Sequence, residues 1–257
     1  KLTILALAQV DFCWDGYNLG GAMDHLVGNP YPGRGLVLGQ GEDGQLVQVY
    51  WIMGRSPNSQ NRIFTATGGD VRTEAADESK VQDPSLIIYR AMAEVGDHFV
   101  ATNGDQTETI VAQLEKAAGP FAFEEALLTR TYEPDAPNFT PRISGLFSLA
   151  DGGALASLSV LKKAGLDTED ACRHFFRFTP KPGSGRMVTT YMGDGNPIPS
   201  FEGEPRVVPI TGTPDAIADF FWGALNEQNR VALVVKAIDP ATKKSTSVIR
   251  NRFLKVA

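Results

Sequence analysis

The chain has 257 residues, 42% of them hydrophobic and 21% charged, with a formal net charge of −6. That length buries a sizeable core without staples, in one large domain or two modest ones. An acidic balance with no basic stripe excludes nucleic-acid binding as the main task, and no apolar run reaches the roughly 18 residues of a membrane helix.

In chain order, the opening KLTILALAQ combines one lysine with a short apolar run. It reads as a first strand or helix rather than a secretory leader. The Pro/Gly turn NPYPGR at residues 29–34 restarts the chain. Residues 35–40 (GLVLGQ) then read as a buried strand, GEDG as a hairpin turn and residues 46–53 (LVQVYWIM) as the paired strand. Residues 54–62 (GRSPNSQNR) follow at once. Two arginines, two serines and two asparagines in one turn are poor core material. They suit a phosphate and a polar heterocycle, because guanidinium forks match phosphate oxygens and hydroxyls add neutral donors. A solvated turn with incidental charges is the competing reading.

Another apolar segment spans residues 85–95 and carries Tyr89 and Arg90; residues 97–102 read as a strand entering the turn Asn103-Gly104-Asp105. Helical periodicity follows at residues 108–118, with Thr107 as N-cap, and at residues 123–129. The prolines of EPDAPNFTPR, residues 133–142, forbid regular structure there. Strands are predicted at residues 143–149 and 154–160 around ADGG. Residues 180–209 form a long Gly/Pro-rich excursion of the kind that serves as a functional lid or is disordered. A helix over residues 215–226 and a strand over 231–236 close the pattern, which is that of one α+β domain of stacked sheets covered by helices. Cys13 and Cys172 lack CxxC spacing and read as small buried hydrophobes, compatible with a cytoplasmic setting. His25, His98 and His174 are too scattered for a zinc site; His98 and His174 sit beside aromatic residues and read as structural.

Taken as an ordered set, PGR at 32–34, GRSPNSQNR at 54–62, DPSLIIYR at 83–90, NGD at 103–105 and YEPDAPNFTPRI at 132–143 resemble the archaeal-type IMP cyclohydrolase family. The resemblance covers roughly residues 30–150, and more loosely the remainder. It implies a four-layer αββα sandwich similar to N-terminal nucleophile hydrolases, without their nucleophile. Gly33 and Arg34, which begin the first core strand, cannot attack a carbonyl as a terminal Ser, Thr or Cys would. The chain departs from the minimal pattern in residues 1–30, in the 180–209 excursion and in the longer turn at 54–62.

The implied reaction is dehydrative closure of 5-formamidoimidazole-4-carboxamide ribotide to IMP, which requires no cofactor and no metal. The implied partner is that small purine ribotide, with no nucleic acid and no membrane, and the protein is expected to be a homo-oligomer. The expected catalytic residues are Tyr89, Glu133, Arg62 and Asn103. Glu133 would ferry protons, with a pKa raised by burial, and Tyr89 would donate to the formyl oxygen. Asn103 and Gly104 would present an amide and an N–H to the heterocycle or oxyanion. Arg55, Ser56 and Arg62 would grip the phosphate or polarise the carbonyl. Arg34, Asn61, Asp105 and Thr140 are further substrate-binding candidates. Arg142 would contact phosphate or orient Glu133, with Asp135 supporting Arg142. Two alternatives stay open: a processed N-terminal nucleophile amidohydrolase, and a non-catalytic purine nucleotide-binding protein on the same scaffold.

Overall fold

The computed structural model describes residues 23, 25–81, 84, 87–116, 119–150, 153–165 and 167–255. Cys13, the opening apolar run and the middle of ADGG lie outside them. The described chain is α+β, built on two antiparallel sheets. The first runs in the order β11 (Arg206–Pro209), β10 (Ser184–Thr189), β1 (Gly35–Gln40), β2 (Leu46–Met53), β12 (Arg230–Ile238), β13 (Ser245–Asn251). The second follows chain order: β3 (Arg62–Thr67), β4 (Asp70–Ala75), β5 (Arg90–Val95), β6 (His98–Thr102), β7 (Arg142–Ala150), β8 (Gly153–Lys163), β9 (Ala171–Phe178).

Alternation along each strand decides which face meets which neighbour. In β1, Leu36 and Leu38 join Tyr50 and Ile52 of β2 in a cluster shared with Phe64, Met92, Phe99 and Phe147 of the second sheet. The side chains between them face the other way. Val37, Val49 and Trp51 pack instead on Ile217 and Phe221 of the helix Pro214–Ala224. Behind the second sheet, Val100, Leu146 and Leu161 meet Ile110, Leu114, Phe123 and Leu127, which come from the helices Gln106–Lys116 and Ala122–Leu128. Every residue of β2 is buried, as expected of a strand covered on both faces, so it reads as a continuous apolar run. Close approach also needs glycine. A Cβ on Gly35 would fall 1.9 Å from Trp51 Cζ2, so the indole lies over a bare backbone.

Phe147 is fully buried between the sheets. Its replacement by alanine is expected to cost about 3–5 kcal/mol in lost transfer energy and residual cavity, read as a lower urea midpoint. A loss below about 1 kcal/mol would contradict this packing.

Several elements differ from the sequence reading. The first long helix begins two residues early, because Thr107 is not its cap: its hydroxyl is buried and donates to Arg90 O at 2.6 Å. The final helix is capped by Thr213, whose side chain accepts from Ala216 N, and ends at Ala224 rather than Asn226. The 180–209 excursion is not one loop, since β10 and β11 lie inside it and pair with each other, and β10 pairs with β1. Cys172 is half-buried on β9 rather than core. Among the described residues no helix is long and apolar enough to cross a membrane.

Candidate active site

Residues 54–61 connect β2 of one sheet to β3 of the other. The turn is built around a short helix, Pro57–Gln60, capped by Ser56. Ser56 Oγ accepts from Ser59 N at 3.2 Å while Ser59 Oγ accepts from Ser56 N at 2.9 Å. The two serines therefore spend part of their hydrogen-bonding capacity on the turn itself. The arginines divide. Arg62 opens β3 and is 1% exposed. Its Nε donates to Ser59 O at 2.8 Å and its Nη2 to Met53 O at 3.2 Å, whereas Nη1 has no partner among the described residues. Arg55 instead stays exposed, pairs with Asp194 and lies 4.8 Å from the ring centroid of Tyr31.

Beside this turn lies a cavity of about 300 Å³, at the lower end of small-molecule sites. Arg34, Arg55, Ser56, Arg62, Glu133 and Thr140 all line it. These residues come from segments up to about a hundred positions apart in sequence, and folding brings them to one wall. Arg34 Nη1 lies 3.5 Å from Glu133 Oε2. Both residues are largely buried, and Arg34 Nε is unpartnered among the described residues. Arg34 is paired with Glu133, whereas Arg62 is bound only to backbone carbonyls and to no carboxylate among the described residues. Its buried charge can therefore meet an anionic ligand or transition state.

The same packing sets the proton affinities. Burial holds Glu133 above the ordinary carboxylate value, against the opposing pull of Arg34 and Arg142. Burial, then the neighbouring charge of Arg34, lowers Arg62. Burial also works against the Arg34 charge, but Glu133 and the nearby phenols outweigh it and hold Arg34 high. Tyr50 Oη and Tyr89 Oη are 2.6 Å apart, and both feel the charges of Arg34 and Arg62. Burial raises both phenols, Tyr50 further through Tyr89, so the pair stays neutral. One phenolic proton is used within the pair and the other is free to be donated.

Of the remaining sequence candidates, Asp135 lines the cavity, whereas Tyr89, Asn61, Asn103, Gly104, Asp105 and Arg142 lie behind its wall. Asn103, expected to present its amide to a ligand, donates from Nδ2 to Pro141 O at 2.9 Å and accepts at Oδ1 from Ile143 N and Gln106 Nε2. Gly104 packs beside the carboxyl, since a Cβ there would sit 3.3 Å from Glu133 Oε1 and 2.7 Å from Arg142 Nη1. Arg142 is held by Gln106 Oε1 at 2.8 Å and by Asp105 at 2.7 Å, and Asp105 also binds Arg130. Asp135 therefore does not support Arg142; it accepts from the backbone and hydroxyl of Thr140. Asn61 exchanges two hydrogen bonds with the backbone of Asp77. His98 binds Ser148 Oγ at 3.0 Å and His174 stacks on Phe176. Sequence reading missed Tyr31 and Tyr191, which stack with centroids 5.9 Å apart on the cavity wall. Tyr31 stood in the quoted NPYPGR turn and was the one available signal.

Residues 31–244 match the family described as IMP cyclohydrolase-like protein. The chain belongs to the IMP cyclohydrolase-like family. The match spans the strands, turns and loops that form the cavity wall. Similar relatives carry the name IMP cyclohydrolase. One, from Methanopyrus kandleri, is 33% identical over 179 residues, which is 66% of this chain and 79% of its own length. Another, from Methanothrix thermoacetophila, is 33% identical over 175 residues, 67% of this chain and 80% of its own. A third, from Methanococcus maripaludis, is 37% identical over 117 residues, 44% and 56% respectively. Family membership thus agrees with the resemblance read from PGR, GRSPNSQNR, NGD and the YEPDAPNFTPRI loop.

Proposed function

We propose that this chain is an IMP cyclohydrolase, closing 5-formamidoimidazole-4-carboxamide ribotide to IMP with loss of water. The observation that carries the site assignment is the buried trio Arg34, Arg62 and Glu133 on one cavity wall, with the Arg62 Nη1 unpartnered among the described residues. The fold we assign is a four-layer αββα sandwich of the N-terminal nucleophile hydrolase kind in one domain. Its support is the shared cluster between the sheets and the two outer clusters under helices.

In this reading the carboxamide nitrogen attacks the formyl carbon within one molecule, and a held near-attack conformer supplies much of the acceleration. One N–C bond forms as the formyl oxygen gains negative charge. Arg62 and Arg34 stabilise that oxygen with donors already fixed and desolvated. Glu133 takes a proton from the attacking nitrogen and delivers it to the oxygen. The C–O bond then breaks as the hydroxyl gains a second proton and the formamido nitrogen loses its own. This releases water, forms the C=N bond and leaves one N–H on the attacking nitrogen. The free phenolic proton of the Tyr50–Tyr89 pair donates to the same oxygen. Arg55 and Ser56, nearer the surface, hold the phosphate. Gly104 and Arg142 position Glu133, and Asn103 braces the turn that carries them.

Ultraviolet absorbance during incubation with the formamido ribotide tests the activity. Conversion to IMP supports it, whereas tight binding without turnover would leave a nucleotide-binding protein. The raised Glu133 pKa gives a second expected outcome. Glu133 must be ionised to accept the first proton, so kcat/KM falls as pH drops through a pKa above the usual carboxylate value. That acid limb is expected to vanish in Glu133→Gln; an unchanged profile would take Glu133 out of the role.

A further inference from the structure

Asp135, Thr140 and Tyr191 all line the cavity, and they are joined by hydrogen bonds whose direction can be worked out. Asp135 Oδ1 accepts the backbone N–H of Thr140 at 2.6 Å, and Oδ2 accepts the Thr140 hydroxyl. Thr140 Oγ1 is 2.5 Å from Tyr191 Oη. A carboxylate only accepts, and a threonine hydroxyl has one proton to give. With that proton committed to Asp135, Thr140 Oγ1 must accept, so Tyr191 is the donor in the second bond. The phenolic proton is thus directed at Thr140, and the lone pairs of Tyr191 Oη are left for a ligand. The ring cannot readily swing to change this. Tyr191 is 4% exposed, stacks on Tyr31, and packs so closely on Gly33 that a Cβ there would fall 2.5 Å from Tyr191 Cδ2.

We infer that Tyr191 is a specificity-determining residue that accepts a hydrogen bond from a ribose hydroxyl of the bound nucleotide. The inference rests on the ring-closing reading above. It follows from which parts of a ribotide can donate. Phosphate offers acceptors and is repelled by the Asp135 carboxylate. The N–H of the finished ring comes from the attacking nitrogen, which belongs at Glu133. The sugar hydroxyls are the donors that remain, and a site with a fixed acceptor discriminates against an analogue lacking its partner.

The experiment is calorimetric titration of the full chain with IMP, 2′-deoxy-IMP and 3′-deoxy-IMP. The wild type is expected to bind one deoxy nucleotide about tenfold more weakly than IMP, the scale of one neutral hydrogen bond. Tyr191→Phe is expected to bind IMP with that same loss and to lose the discrimination. Thr140→Ser keeps the hydroxyl that orients Tyr191 and is expected to keep the discrimination. Equal binding of all three nucleotides by the wild type overturns the assignment to Tyr191, as does discrimination retained in Tyr191→Phe. Absence of IMP binding by the wild type overturns the ring-closing reading itself, and this inference with it.

Discussion

Glu133→Gln is expected to lower kcat by about two to four orders of magnitude, the usual range for removal of a positioned proton carrier, while changing IMP affinity little. The substitution keeps size and hydrogen-bonding capacity, so the Arg34 side chain retains a polar neighbour. What disappears is a group that can pick up and return a proton. Burial matters here because it lifts the Glu133 pKa, and a carrier nearer the working pH shares its proton more easily with a poorly acidic amide. A loss confined to KM would mean that Glu133 only binds. Near-normal turnover would remove it from the mechanism.

Arg62→Ala is expected to lower kcat by about 10²–10³-fold, as when one fixed oxyanion donor is deleted. The guanidinium is buried with an unpartnered Nη1 and no carboxylate bound to it among the described residues. Its charge is therefore available to whatever occupies the cavity. Two carbonyls, Met53 O and Ser59 O, lose their donor in this variant, so a stability loss of about 1–3 kcal/mol accompanies the change. Turnover must be referred to folded protein. Arg62→Lys keeps the charge without the planar fork and should fall between the two. A folded Arg62→Ala with wild-type kcat would place the oxyanion elsewhere.

Much of the frame was legible because β1 and β2 are covered on both faces, and their apolar runs matched residues 35–40 and 46–53 as expected. Strands carrying polar residues were harder to read. β4 (DVRTEA) and β13 (STSVIRN) are partly exposed, so their sequences resemble turns. The β10 segment hid among glycines because Gly185 packs where a Cβ would meet Val37 Cγ1 at 2.9 Å.

The site was legible where chemistry clusters locally. GRSPNSQNR announced two arginines, and Arg55 and Arg62 both reach the cavity. It could not announce that one would be buried and the other exposed, because that follows from β3 starting at Arg62 in the opposite sheet. Asn103 and Asp135 mark the opposite limit. Both lie in polar turns, yet hydrogen bonds consume them, Asn103 with the backbone of Pro141 and Ile143 and Asp135 with Thr140 of its own loop. Tyr191 reaches Thr140 across 51 positions, a contact that no local pattern encodes.

A crystal structure of the protein with IMP bound tests the central claim most directly. The N1–C2 edge of the purine, where the new bond forms, is expected beside Glu133, with the Arg62 guanidinium facing the same end and the phosphate at Arg55 and Ser56. IMP seated in the reverse orientation, with its phosphate on Arg62 and Arg34 and its ring edge remote from Glu133, would contradict it.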